Sequence, residues 1–155
     1  MSKNKDWKEY KLYKRKKDKT GACSTWAVKH EDRCIWLSMA KQKDEKTFDH
    51  DNAVTVKLGL TDVGQLIAAI EGDMDAVGSD GRGMLHKFER DGKEIYTTIG
   101  FSKLSKSGEA PRYSLCLSKK EDNNISKVSH VVLAHEARIL LALLKFAVPI
   151  MSNWV

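Results

Sequence analysis

The chain has 155 residues, 41% of them hydrophobic and only two of them proline, which is enough for one compact domain and too little for two independent ones. Its formal charge of +6 is concentrated at the start: residues 1–20 hold nine Lys and Arg against three acids, and taking these from the totals of 27 and 21 leaves 18 of each sign from Gly21 onward. A basic segment on a neutral body excludes a uniformly cationic polyanion binder and leaves room for a basic stripe.

Cys23, Cys34 and Cys116 are odd in number and widely spaced, which argues against a secreted disulfide framework and for buried thiols in a reducing compartment. No apolar stretch of signal-peptide type follows the charged start, and the apolar run Ile139 to Met151 is broken by Lys145 and Pro149. Neither a signal peptide nor a membrane span is expected, and the cytoplasm or nucleoid is the expected compartment.

In chain order, Trp7, Tyr10, Leu12 and Tyr13 leave room for a first strand inside the basic start, residues 1–20, which otherwise reads as an arm. Ser24 to His30 alternates, Glu31 and Asp32 turn the chain, and Arg33 to Ala40 completes a hairpin. The charged stretch Lys41 to Asp51 is a solvated connection, and Val54, Val56 and Leu58 mark a further strand that Gly59 ends. From Leu60 to Asp73 the period changes: Thr61 is the expected N-cap, and Val63, Leu66, Ile67 and Ile70 share one helical face. Gly78 to Gly83 reads as a flexible connection. Met84 to Arg90 and Glu94 to Leu104 form a hairpin about Asp91 and Gly92, and Arg112 to Lys119 with Ser126 to Leu133 form another. A helix from about Ala134 closes the chain. Its residues leave little polar face, so Leu140, Leu144, Phe146 and Val148 are expected to meet another copy as well as the sheets.

Strands then a helix, twice over, predicts an internal duplication. Sliding the chain by 73 positions sets Leu60, Leu66, Ile67, Ala69 and Ile70 on Leu133, Ile139, Leu140, Ala142 and Leu143. The expected fold class is α+β: two ββββα halves of antiparallel sheet packed with two helices, within a single domain over residues 21–155.

Motifs for chemistry are sparse. The glycines at 78, 81 and 83 lack the Lys-Ser or Lys-Thr of a phosphate-binding loop. His135 and Glu136 open like a zinc-protease helix, but the place of the second histidine is held by Ile139. His30 with Cys34 and His130 with His135 have metal-like spacing without a second pair, and Asp49, His50 and Asp51 lie in a charged loop. No enzyme activity, metal or cofactor is expected.

What does recur is an aromatic ring beside cations. Tyr13 lies near Lys11, Lys14 and Arg15; Trp36 near Lys29, Arg33 and Lys41; Phe88 near Lys87 and Arg90; Tyr96 near Lys103; Tyr113 beside Arg112. A single strand of nucleic acid needs this combination, because bases stack on rings while cations follow the phosphates. These fifteen residues are the expected binding set, with burial in the core as the competing role for each ring.

The run Leu60, Thr61, Asp62, Val63, Gly64, Gln65, Leu66, Ile67 and the ending Phe146, Ala147, Val148, Pro149, Ile150, Met151, Ser152, Asn153, Trp154 resemble the two helices of Whirly-type single-stranded DNA-binding domains. That family is related in fold to the transcription coactivator positive cofactor four and to kinetoplast guide-RNA-binding proteins. Ala22 to Lys29 carries no counterpart of the Lys-Gly-Lys motif of the family. The resemblance implies single-stranded DNA bound with little sequence preference, in replication, recombination, repair or transcription, by a homo-oligomer of four or two subunits. An RNA-binding version of the fold and a protein-interaction module are the rival expectations.

Overall fold

The computed structural model describes residues 7–154, the side chain of Trp7 excepted, so Lys3, Lys5 and Asp6 of the basic start lie outside the described residues. The basic start supplies β1 (Trp7–Lys14), which pairs along its whole length with β2 (Ala22–Lys29). β3 (Cys34–Lys41) and β4 (Val54–Leu58) complete an antiparallel sheet in the order β1-β2-β3-β4. α1 (Leu60–Glu71) follows. The second half repeats the plan: β5 (Met84–Arg90), β6 (Lys93–Lys103), β7 (Arg112–Glu121) and β8 (Asn124–Leu133) in the order β5-β6-β7-β8, then α2 (Ala134–Met151).

Alternation decides the two faces of each sheet. Leu12, Trp26, Val28, Leu37, Met39, Val56 and Leu58 of the first sheet face Ile99, Phe101, Leu115, Leu117, Val128 and Val132 of the second and the helices, in one continuous core. The helices pack on each other, α1 also against β4 and β6, α2 against β3, β7 and β8, while β2 and β3 meet β8 directly.

Both helices start in the same way. The Gly59 N–H donates to Asp62 Oδ2 at 2.8 Å, and the Leu133 N–H donates to Glu136 Oε1 at 2.8 Å. The expected Thr61 cap is therefore replaced by the carboxylate one position on, which bonds back to the residue before the helix. The same pairs correct the repeat offset to 74, with Asp62 on Glu136, Val63 on Ala137, Leu66 on Leu140 and Ile70 on Leu144. At this offset buried residues match buried residues, whereas an offset of 73 lays buried Leu66 on the exposed Ile139.

Each capping acid also reaches into the other half. Asp62 Oδ2 lies 3.0 Å from His86 Nε2 on β5, and Glu136 Oε1 is hydrogen-bonded to Lys14 Nζ on β1. Burial alone pushes the Glu136 carboxyl up, but the hydrogen bonds from Lys14 and the Leu133 N–H, with the charges of Lys14 and His135, outweigh it and hold the group below the ordinary carboxylate value.

The glycine-rich connection is ordered rather than loose. Gly78 and Gly83 form a bridge, the Gly78 N–H donates to Gln65 Oε1 at 2.7 Å, and a Cβ on Gly78 would sit 1.9 Å from the Gly83 carbonyl oxygen. Among the described residues, no helix is long and apolar enough to cross a membrane.

Replacing Glu136 by Ala removes a cap and leaves Lys14 without its carboxylate, so it is expected to cost about 1–3 kcal/mol in urea unfolding. Because the folded-state pKa is depressed, the stabilisation is present at neutral pH and lost as pH falls through that lowered value. The gap between wild type and Glu136→Gln should therefore close in acid.

Candidate nucleic-acid interface

The faces of the sheets turned away from the core carry the chemistry. On the first sheet the outward register rows read Lys11, Thr25, Ser38, Thr55 and Glu9, Ala27, Trp36, Lys57, with Tyr13 beside Cys23 and Ala40 in the next row. Lys11, Tyr13, Lys29 and Trp36 of the expected set thus share one face. On the second sheet the rows read Lys87, Tyr96, Lys120, Ile125 and Leu85, Thr98, Ser118, Lys127, followed by Ser114 beside Val131 and Arg112 beside Leu133. Lys87, Tyr96 and Arg112 share that face, where Lys87 Nζ lies 5.8 Å from the Tyr96 ring centroid and pairs with Glu94 at 2.5 Å.

At one end of β1, Arg15 places its guanidinium 5.7 Å from the ring centroids of both Tyr13 and Phe48, which are themselves 5.6 Å apart. Phe48 comes from the connection after β3 and covers Cys23 and Ala40. The expected solvated loop therefore contributes a buried ring beneath a half-exposed tyrosine.

Between the sheets runs a pair of adjoining clefts, of about 410 and 360 Å³, that share Thr20, Gly21, Ala22 and Ser129. Lys14, Lys16 and Ser114 line the first, and Lys19, Lys41 and Lys127 line the second. None of the residues lining either cleft is acidic. The strand ends of one sheet and the outer face of the other thus converge five lysines on one track.

Gln42 builds that track. Its Oε1 accepts from the N–H groups of Lys16 and Gly21 at 2.9 and 3.0 Å, and its Nε2 donates to the carbonyls of Lys16 and Asp44 at 3.1 and 2.9 Å. All four hydrogen-bonding capacities are used on backbone, and the turn from Lys14 to Gly21 is held against β3. Gly21 must lack a Cβ here, since one would lie 1.9 Å from the Lys14 carbonyl oxygen.

Several expected residues fall elsewhere. Tyr113 is in the core, stacked on Phe101 with centroids 4.9 Å apart, and its hydroxyl donates to the Ile70 carbonyl at 3.2 Å. It offers no ring to a ligand. Burial raises its phenol pKa above the ordinary value, with the charge of Arg138 opposing. Phe88 and Arg90 lie in register with Ile95 and Lys93, on the core-side alternation of β5. Phe88 is exposed there, and Arg90 reaches Glu121 at 3.6 Å. Lys103, at the end of β6, follows the core-side alternation of Phe101. Arg33 sits in the β2–β3 turn at φ 48, and Lys29 lies 4.0 Å from Asp32.

The helix residues expected at an oligomer contact divide as well. Leu140 and Leu144 are fully buried within the chain's own core, and Val148 packs against its margin. Of the four only Phe146 is exposed, one face of α2 carrying it with Ile139 at 44% and 51% exposure.

No protein-family model matches the sequence, and no curated relative does. Solved structures do match. The plant transcriptional regulator PBF-2 aligns with a TM-score of 0.70 at 16% identity over 96% of this chain and 84% of that one. WHY1 from Arabidopsis thaliana aligns at 0.66 and 14% identity, over 96% and 86%. The fold is Whirly-type. The same architecture occurs in the Trypanosoma MRP1/MRP2 structures, at 0.68 and 14% identity over 94% and 86%, and in a guide-RNA-binding protein complex bound to a guide RNA, at 0.56 and 16% identity over 90% and 88%.

In this Whirly-type fold the side-chain hydrogen bonds of Gln42 and Tyr113 run to backbone groups of the chain itself. Tyr113→Phe is expected to lower unfolding free energy by about 1 kcal/mol, one buried hydrogen bond, and to leave oligonucleotide affinity unchanged in a fluorescence-anisotropy titration. Gln42→Ala removes no charge, yet it should weaken oligonucleotide binding several-fold because the basic turn loses its anchor. Equal affinity in that variant would show that the turn holds its place without the clasp.

Proposed function

We propose that this protein binds single-stranded nucleic acid, single-stranded DNA in the first place, with little sequence preference and without catalysis. The observation that carries the reading is the track between the sheets, where no acid lines either cleft and Lys16, Lys19, Lys41 and Lys127 share the lining with Ser114 and Ser129, while Lys14 is held by Glu136. Cations along one groove neutralise a phosphate chain, and hydroxyls add hydrogen bonds that do not depend on base identity. On either side of the track the outward faces present Trp36, Tyr13 and Tyr96 among Lys11, Lys57, Lys87, Lys120 and Arg112. Rings on a flat cationic sheet stack unpaired bases and have no use for a duplex, whose bases are already stacked.

The Whirly-type fold and the guide RNA held by one protein of the same architecture support the reading. RNA is the second candidate ligand on that ground alone, since nothing at the track addresses a 2′-hydroxyl. Holding a strand extended keeps it from re-annealing, which suits replication, recombination, repair or transcription at melted DNA. The exposed Ile139 and Phe146 on α2 suit a contact with a second copy of the chain, in a dimer or tetramer.

The test is a salt titration of binding to matched single-stranded DNA, duplex DNA and RNA. Single-stranded DNA should bind tightest, with a slope of log K on log salt of about −0.7 for each phosphate neutralised, so about −2.8 if Lys16, Lys19, Lys41 and Lys127 each engage one. Lys41→Ala with Lys127→Ala should flatten that slope by about 1.4. Trp36→Ala should cost about 1–3 kcal/mol of binding while leaving the slope intact. Preference for the duplex would refute the reading, and preference for RNA would move it to the second ligand.

A further inference from the structure

We propose that His130 is a proton-operated latch between the two sheets, closed while its imidazole is neutral and opened by protonation, so that the inter-sheet track is regulated by pH. Its Nε2 lies 2.8 Å from Ser24 Oγ, joining β8 of one sheet to β2 of the other across the bottom of the first cleft. Ser24 is fully buried, and its Oγ also accepts from the indole N–H of Trp26 at 3.3 Å. His130 Nδ1 lies 3.1 Å from the Val131 carbonyl.

These partners leave one consistent assignment of hydrogens. A carbonyl can only accept, so Nδ1 carries the proton. The Trp26 indole can only donate, so the Ser24 hydroxyl spends its own hydrogen on His130 Nε2, which must be unprotonated. Trp26, Ser24, His130 and the Val131 carbonyl form a directed chain in which every donor has an acceptor.

A second proton on the ring breaks the chain at its middle. With Nε2–H pointing at Ser24 Oγ, the hydroxyl would face two donors and its own hydrogen would have no described acceptor in a fully buried position. The charged groups facing the ring, Lys14 from β1 and Glu136 from α2, are already bonded to each other. Burial, chiefly, with Lys14 adding to it, disfavours the imidazolium and lowers the pKa, while the bond to Val131 and the charge of Glu136 oppose. The neutral form is thus held down to a pH below the ordinary imidazole value, and the joint loses stability as pH falls through the lowered one.

The consequence for nucleic acid rests on the reading above; the latch itself does not. Opening the joint moves Ser129 and Lys127 of β8 relative to the basic turn, so the track loses its spacing. The overall charge of the protein also changes with pH, an effect on polyanion binding that acts alike in wild type and in a variant at residue 130. The two effects are separable by comparison with a variant that cannot titrate at residue 130.

The experiment follows the imidazole nitrogens of the intact protein by NMR from about pH 8 to about pH 5, and unfolding over the same range for wild type and His130→Gln. The latch requires the Nδ1–H tautomer at neutral pH, titration below the ordinary imidazole range, and a loss of stability in acid that is steeper in wild type than in His130→Gln. An Nε2–H tautomer, titration at or above the ordinary value, or superimposable stability profiles would overturn it. In parallel, affinity for a short oligothymidylate is measured at both ends of the range. Wild type should weaken by about fivefold more than His130→Gln, the loss of one buried hydrogen bond. An unchanged ratio would overturn the coupling to the track. If neither protein binds the oligomer at any pH, the functional reading fails and the imidazole titration still decides the latch.

Discussion

The structure depends on how two short acidic side chains each satisfy two demands at once. A helix that begins directly after a strand leaves free N–H groups at its start, and a sheet that packs only through apolar contacts has no fixed angle to its partner. Asp62 and Glu136 answer both: each bonds back to the residue preceding its helix and each pairs with the first strand of the other half, through His86 and Lys14. The crossing is reciprocal. Helix start, sheet edge and opposite half are coupled twice by the same device, so the two ββββα units hold one relative orientation. Partly buried pairs of this kind add little net stability compared with apolar packing, but removing one partner leaves the other poorly satisfied. Their effect is to specify geometry.

Fixed geometry is what makes a track between the sheets possible. With the helices and one face of each sheet committed to a shared core, the opposite faces are left to solvent, and the line where the sheets approach becomes a groove. Its chemistry follows from where acids are tolerated. β2, β3, β4 and β8 contain no Asp or Glu at all. Many of the acids sit in turns and connections, among them Glu31, Asp32, Asp44, Asp73, Asp80, Asp91 and Asp122. A body that is neutral by count is therefore basic along these four strands.

That distribution explains which parts were legible from the residues alone. Strand and helix positions were, because alternation and the 3.6-residue period are local: Val54–Leu58, Met84–Arg90 and the start of α2 at Ala134 agree with the expected elements. The duplication was legible as hydrophobic pattern but slipped by one residue, because Ile139 and Leu140 are equally apolar and only the capping acids fix the register. The aromatic set shows a limit of the same kind. Sequence places a ring beside a lysine but does not say which face of the strand it takes, and the structure puts Tyr113 in the core while Phe88 is exposed on the core-side alternation of β5. Lys57, Lys120 and Lys127 stood at outward positions of alternating strands and could have been found by that parity. Gln42 could not, since its four partners are backbone groups supplied by two separate turns.

The same reasoning separates what the lysines do from what the rings do. Lysines converge across a junction of two sheets, so their arrangement depends on the orientation that Asp62 and Glu136 impose and on the turn that Gln42 holds. Rings such as Trp36 and Tyr96 lie within single sheets, where register alone fixes them. A perturbation of the junction should therefore displace the cleft lysines before it disturbs the rings. Binding would then lose salt dependence while keeping a residual affinity for bases, a pattern that charge removal on one sheet cannot produce in the same way. The rings are placed by each sheet on its own, whereas the cleft lysines are brought together only because the two sheets are locked to each other.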